Sequence, residues 1–352
     1  MDFNDTPPEA AYRTKVREWL RVNAPWHLVE EMNRERTVGV VSITSEDPLE
    51  ASRAWLRKKA EAGFAAPGWP KEYGGAGMTP MERVIWQQED EPFKQLGVFF
   101  AVGLALCGPT LMEWGTADQK TRLLPPMVRG EEMWCQLFSE PAAGSDLAGL
   151  RTRARRAEDG SGDWIIDGQK IWTSYAQFCD WGLLLARTDG DVAKHKGLTM
   201  FHIRLDSPGV VVRPIRQING HSTFNEVFFN EVRLPDSNRI GGIDDGWIVS
   251  LTTLMNERAT IGASVEIGFD ELVALARSVH TTHGRAIDDP AVRSRLAHFA
   301  CTTSGLKFTA MRAISALSRG EVPGPESSIN KLVASEARLA IAQYGFELQA
   351  QA

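Results

Sequence analysis

The sequence predicts an α+β multidomain chain: an N-terminal all-α domain, a central β-sandwich or barrel, and a C-terminal helical bundle. Three observations point there. The hydrophobic period is helical over residues 1–131, alternates over 132–240 and is helical again over 241–352. Helices, then strands, then helices is not the strand–helix alternation that builds a doubly wound sheet. The 352 residues suffice for two or three domains of roughly 150 each.

In the first zone Ala10 to Val22 is amphipathic, and Pro48 to Ala62 is a helical stretch stopped by Gly63. Pro80 to Gln95, Leu104 to Trp114 and Ala117 to Val128 follow. Ala65-Ala66-Pro67-Gly68-Trp69-Pro70 and Tyr73-Gly74-Gly75 punctuate the joints. In the second zone Trp164-Ile165-Ile166 and Lys170-Ile171-Trp172 flank Asp167-Gly168, which predicts a type I′ hairpin. Strands are expected at Trp181 to Arg187, Leu198 to Leu205, Val210 to Ile215 and Phe224 to Leu234, the last with a turn at Asn230-Glu231.

In the third zone Trp247, Leu251, Leu254, Met255, Ile261 and Val265 recur at helical spacing. They predict one long buried helix to about His280. Helices from Pro290 to about Ser318 and from Pro325 to the end complete it. Ile329 to Ala352 stays helical and apolar to its last residue. A missing C-terminal segment or another subunit is expected to cover that face.

Composition narrows the function. Apolar residues make up 43% and charged residues 24%, with a net charge of −6 and eleven Trp. That balance argues against a general electrostatic grip on nucleic acid or anionic membrane. Cys107, Cys135, Cys179 and Cys301 are widely spaced without a CxxC pair, and the seven His form no HExxH. Reduced thiols and no metal are expected. No run of ~18 apolar residues occurs, and the acidic start Met1-Asp2-Phe3-Asn4-Asp5 is unlike a signal peptide. The expectation is a soluble cytoplasmic protein.

Two stretches carry candidate chemistry. In Trp134 to Arg151 a strand ends near Ser139, Pro141 removes a donor, and small residues follow. Such a backbone lets a flat ligand approach while Ser139, Ser145 and N–H groups offer hydrogen bonds. Taken alone it also reads as an ordinary polar turn. In Gly168-Gln169-Lys170-Ile171-Trp172-Thr173-Ser174 an indole could lie against a ring system while a hydroxyl meets a ring atom. Taken alone it also reads as a Trp packed in a β core.

Together, about 30 residues apart, these stretches resemble motifs of the acyl-CoA dehydrogenase family. The resemblance runs over nearly the whole chain. Gly63-Phe64-Ala65-Ala66-Pro67-Gly68-Trp69-Pro70-Lys71-Glu72-Tyr73-Gly74-Gly75, Trp114-Gly115-Thr116-Ala117-Asp118-Gln119-Lys120 with Leu124-Pro125, and Phe224-Asn225-Glu226-Val227 with Val232 and Pro235 match it in order. The resemblance implies FAD between a β domain and a four-helix bundle, in dimers or tetramers. It implies α,β-dehydrogenation of an acyl-CoA thioester, with electrons passed to an electron-transfer flavoprotein. Phe138 and Ser139 then fall at the flavin pyrimidine, Ser145 at flavin or CoA, Trp172 beside the isoalloxazine, and Thr173 and Ser174 near N5. Ser174 aligns with the family's usual threonine.

The reaction needs a carboxylate within ~3 Å of the α-proton in a dry pocket. The family places it either in a C-terminal loop that this chain does not reach or directly before an arginine on the first long helix after the β domain. Asn256-Glu257-Arg258 supplies the second pattern. The resemblance thus makes Glu257 the base that removes the α-proton, as hydride passes to flavin N5, and puts Arg258 at the substrate. Glu257 stands three residues after Leu254 and four before Ile261, at the border of the apolar stripe. A structural ion pair is the competing role there.

The match breaks at His280-Thr281-Thr282-His283-Gly284-Arg285, where the family has an arginine, two residues, then Phe-Gly. His280 and His283 stand at the arginine and phenylalanine positions, and neutral His is a poorer phosphate partner. Some relatives are hetero-oligomers in which two unlike chains build half the sites. A half-site or non-catalytic subunit, and a fold-related flavin oxidase or monooxygenase, are therefore the alternatives. Trp86, Phe93, Phe99 and Phe100 either narrow an acyl pocket or, the simpler reading, fill a helical core.

Overall fold

The computed structural model describes residues 5–34, 40–263, 268–282, 284–318, 321 and 327–350. The chain divides into two compact units, Met1–Asn256 and Glu257–Ala352.

The first unit opens with helices α1 (Pro7–Asn23), α2 (Val29–Arg34), α3 (Pro48–Glu61) and α4 (Pro80–Glu89). Helix α2 has no counterpart in the sequence reading. Helix α4 stops earlier than the expected Gln95, because Pro92 lacks the amide that would continue it and Glu91–Phe100 winds as a 3-10 helix. A π turn over Gly103–Cys107 leads into α5 (Gly108–Trp114), then α6 (Ala117–Val128). Gly108 is required by packing, since a Cβ there would lie 2.1 Å from the Trp69 ring. That contact pins the Pro-Gly-Trp-Pro joint to the helix.

Trp86, Phe93, Phe99 and Phe100 are buried, with Phe64 stacked on Trp86 at 4.2 Å and 5°. They are core residues. Helix α6 begins with a reciprocal cap: the Thr116 hydroxyl accepts the Gln119 N–H, and the Gln119 carbonyl oxygen accepts the Thr116 N–H. The Gln119 amide also donates to the carbonyls of Ser237 and Arg239, at 2.8 and 2.9 Å, tying the helix to the β region.

Eight strands follow: β1 (Trp134–Leu137), β2 (Arg153–Arg156), β3 (Trp164–Ser174), β4 (Trp181–Arg187), β5 (Leu198–Arg204), β6 (Val210–Ile215), β7 (Phe224–Leu234) and β8 (Arg239–Ile240). They form one sheet in the order β6-β7-β3-β2-β4-β5-β8, with β1 parallel to β4. Residues from both ends of the sheet, such as Val212 and Phe201, meet in one core with Ile166, Leu184 and Val227. Strand β4 is apolar and buried from Trp181 to Ala186 because both its faces are covered there. Leu184 and Ala186 face that core, while Leu183 and Leu185 join the helical cluster.

The expected hairpin at Asp167-Gly168 is absent: β3 runs unbroken through both residues. A Cβ at Gly168 would lie 2.6–2.8 Å from Thr152 Oγ1, Cα and Cβ. Glycine is there for close approach to β2, at a register shift against β7, and not for a turn. The expected turn at Asn230-Glu231 is likewise a kink inside β7. Glu231 takes φ 48°, with its N–H donated to Asp167 at 2.8 Å.

His202 on β5 packs against Trp181 at 5.3 Å, and its buried Nδ1 has no partner. Burial, then the charge of Arg122, pushes its pKa down to about 4 from 6.5. A base depressed in the folded state adds stability above pH 6.5 and loses it as pH falls towards 4, by about 3 kcal/mol. Urea unfolding at pH 7 and pH 4 is expected to show that loss in the wild type and to show it reduced in His202→Phe.

Helix α7 (Gly246–Ala263) spans the junction of the two units. The single long helix expected to His280 is two, because α8 (Phe269–Ser278) starts after Gly268, whose φ of 82° ends any continuous helix. Val265 lies outside the described residues. Leu251 and Met255, expected in the buried stripe, are exposed, Met255 at 67%. Helix α7 instead buries Val249, Ser250 and Thr253, with the Thr253 hydroxyl 2.8 Å from that of Thr110 and Trp114 Nε1 donating to Thr252 at 2.9 Å. The buried face is the one whose hydroxyls find partners.

The second unit continues through the two-residue strands β9 (His280–Thr281) and β10 (Gly284–Arg285) to α9 (Pro290–Ser318) and α10 (Ser327–Gln349). Leu272, Leu296, Phe299, Leu306, Ile341 and Leu348 lie in its core. Helix α10 leaves Ile329, Leu332, Leu339 and Phe346 exposed on this chain. Among the described residues no single helix is long and apolar enough to cross a membrane.

Candidate active site

The site is organised around β3. Its pairing with β7 slips between Lys170 and Thr173, leaving Ile171 and Trp172 out of register. Trp172 sits in the left-handed region at φ 62°, is 57% exposed as a residue, and its indole is met edge-on by Phe224 at 6.1 Å. Tyr175 is also left-handed at φ 55°. Two such non-glycine residues within four are costly, at about 1–3 kcal/mol each, and strain of this kind gathers at ligand sites. An exposed indole held this way offers a flat apolar face to a ring.

Beside it lies the turn after β1. The Ser139 carbonyl accepts the Ile171 N–H at 2.9 Å, so the turn and the indole-bearing strand run together. Phe138 is buried, and its carbonyl accepts a hydrogen bond from Lys170 Nζ at 3.0 Å. Ser139 is half-buried and Ser174 is half-buried. The Thr173 hydroxyl is buried and unpartnered, so of the two neighbouring hydroxyls Ser174 is the one on the open side. Ser145 is exposed on the next turn, where Asp146 pairs with Lys194 at 2.7 Å.

Sequence reasoning passed over Lys170 and Glu140. Lys170 Nζ lies 2.8 Å from Glu140 Oε1, and Glu140 accepts the N–H groups of Arg151 at 2.6 Å and Thr152 at 2.9 Å. Burial pushes Lys170 down to about 8 against the opposing charge of Glu140. Burial also pushes Glu140 up, but Lys170 and the N–H donors outweigh it and leave its pKa below the ordinary value. Both are charged at neutral pH. The available clue was parity: Lys170 falls on the inward face with Trp164 and Ile166, where a charge needs a partner.

A cleft of about 450 Å³ opens next to this turn, lined by Arg151, Arg153, Arg155, Arg187 and Lys194 among others. Arg151, Arg153 and Arg155 project from one face because Thr152 and Ala154 between them point inward. Arg155 pairs with Glu231 and Lys194 with Asp146, while Arg151 and Arg153 have no ion pair among the described residues.

Glu257 opens the second unit. Its carboxylate is 31% exposed and 3.7 Å from Lys331 Nζ of α10. The side chain of Arg258 and residue His283 lie outside the described residues. His280 is exposed with Nδ1 3.1 Å from the Ser278 carbonyl, and Arg285 pairs with Asp288 at 2.9 Å.

The exposed, left-handed Trp172 indole beside the Ser139 turn offers a seat for a planar ring. Three family models match end to end: acyl-CoA dehydrogenase N-terminal domain over 9–131, middle domain over 135–232, and C-terminal domain over 244–350. The chain is 40% identical over 291 residues to acyl-CoA dehydrogenase FadE34 of Mycobacterium tuberculosis, covering 82% of this chain and 39% of that protein. It is 35% identical over 352 residues to acyl-CoA dehydrogenase IpdE1 of Mycolicibacterium smegmatis, covering 97% and 86%. A solved structure described as the Tcur3481-Tcur3483 steroid ACAD superposes with a TM-score of 0.77 at 28% identity, covering 99% of this chain and 86% of that one.

The chain belongs to the acyl-CoA dehydrogenase family, whose members are FAD-dependent oxidoreductases acting on acyl-CoA. The residues present fit that cofactor. The uncovered left-handed indole and the half-open Ser139 and Ser174 make a face and a polar edge suited to a planar heteroaromatic ring.

Proposed function

We propose that this chain catalyses α,β-dehydrogenation of an acyl-CoA thioester, with Glu257 taking the α-proton. The observation that carries the reading is Trp172: an exposed, strained indole beside the Ser139 turn. When bound, FAD supplies the acceptor for the β-hydride. Ser139, the Phe138 N–H, Thr173 and Ser174 would hold its polar edge, Trp172 would cover one face, Ser145 would meet flavin or CoA, and Arg258 would orient the thioester. The Glu257 carboxylate is the proton acceptor, and its contact with Lys331 is long enough to yield to substrate. Domains at 1–131, 132–240 and 241–352, a cytoplasmic location, an electron-transfer flavoprotein as oxidant and an oligomeric assembly belong to the same proposal.

The phosphate end of the CoA ester is placed against Arg151 and Arg153. Arg153→Gln is expected to weaken acyl-CoA binding several-fold at low salt, with the difference shrinking as salt rises and the FAD spectrum unchanged. Calorimetric titration at two ionic strengths checks it. The reading as a whole is tested by adding straight-chain, branched and steroid-derived acyl-CoA thioesters anaerobically and following flavin absorbance. Bleaching by one class supports it, and no bleaching by any contradicts it.

One observation favours a second reading, a half-site subunit that needs an unlike partner. The His280 to Arg285 run offers an exposed His, and its arginine is already tied to Asp288. Protein purified alone without yellow flavin, and yellow after mixing with a homologous chain, supports that alternative.

A further inference from the structure

We propose that the buried Lys170–Glu140 pair is a positioning device for the flavin ring, fixing the spacing between the Phe138–Ser139 turn and Trp172 without touching the ring. The inference rests on the reading above, in which the ring lies beside Trp172.

Stability alone does not account for the pair. Lys170 is 0% exposed and Glu140 nearly so, and fully buried Lys and Glu are rare. Desolvating two charges largely cancels their attraction, so apolar replacement of such a pair is often neutral or stabilising. What the pair does is geometric. Lys170 Nζ holds the Phe138 carbonyl and the Glu140 carboxylate together, and Glu140 grips the Arg151 and Thr152 N–H groups. Glu140 and Ala143 exchange backbone hydrogen bonds at 2.9 and 3.0 Å, closing the loop around Pro141. Three stretches of chain, at 138–140, 151–152 and 170, thus converge on one buried point.

That point lies two residues from Trp172, on the side where help is needed. The register slip removes Ile171 and Trp172 from the ladder with β7, and the Ser139 carbonyl supplies the hydrogen bond to Ile171 instead. The Ser139 turn is in turn held by the pair. A left-handed indole persists only where its surroundings over-determine it. The buried pair provides that constraint and couples it to the backbone that meets the ring's polar edge.

The test is titration of FAD into apoprotein for the wild type and two variants. Glu140→Gln/Lys170→Met removes both charges at similar volume, and Glu140→Asp keeps the charge but shortens the reach. Three readouts separate positioning from folding: apoprotein melting temperature, FAD dissociation constant, and quenching of flavin fluorescence by the Trp172 indole. The double variant is expected to melt within a few degrees of the wild type, to bind FAD about 10-fold more weakly, and to leave the bound flavin brighter. Glu140→Asp is expected to shift the last two in the same direction by less, and it decides the matter alone if the double variant does not fold. Wild-type affinity and quenching in either folded variant, or affinity that falls only in step with melting temperature, overturns the proposal. Failure of the wild type itself to bind FAD overturns the functional reading, so the two failures are told apart by which protein shows them.

Discussion

Glu257→Gln is expected to bind FAD like the wild type and to slow flavin reduction by acyl-CoA about 10²- to 10⁴-fold, the usual span for losing a general base. Glutamine keeps the shape and removes the ability to accept a proton. The pair with Lys331 is long and half exposed, and pairs of that kind contribute little to stability. The melting temperature is therefore expected to stay put while turnover collapses. The competing role, a structural ion pair, makes a different forecast: Lys331→Met would then match Glu257→Gln in every readout. Stopped-flow absorbance of both variants checks this directly.

Trp172→Ala is expected to have the largest effect on the cofactor. The indole meets Phe224 edge-on and the residue is 57% exposed, so its removal leaves no buried cavity, while alanine keeps the Cβ that makes the left-handed backbone costly. Apoprotein stability is expected to be nearly unchanged. FAD affinity is expected to fall about 10-fold or more, since stacking of an aromatic ring is worth about 0.5–1.5 kcal/mol beyond buried area. Fluorescence titration with FAD against the wild type measures it. Unaltered affinity would mean the ring does not lie on this indole.

Much of the architecture was legible because it is written in period and punctuation. The helical period of Ala117 to Val128 marks α6, and the largely apolar run Trp181 to Arg187 marks β4. What misled were residues whose local preference serves tertiary contact. Asp167-Gly168 has the chemistry of a turn, yet Gly168 is there so that β2 can pass close by. Leu251 and Met255 follow helical spacing, yet α7 buries the hydroxyl-bearing face that pairs with Thr110 and Trp114.

The site was legible in part. Ser139 and Trp172 were singled out from residue type and spacing, and the structure brings their segments together through the Ile171–Ser139 bond. Lys170 and Glu140 were not, because their meaning is a pairing across 30 residues that no local pattern encodes. The left-handed turn of Trp172 was also invisible, since it arises from a register slip between two strands.

The most direct measurement is anaerobic stopped-flow absorbance of FAD-loaded protein mixed with a reactive acyl-CoA, run for the wild type and for Glu257→Gln side by side. Rapid loss of the flavin band in the wild type and its persistence in the variant is the predicted result. Equal bleaching rates in the two proteins would contradict the assignment of the base and the mechanism built on it.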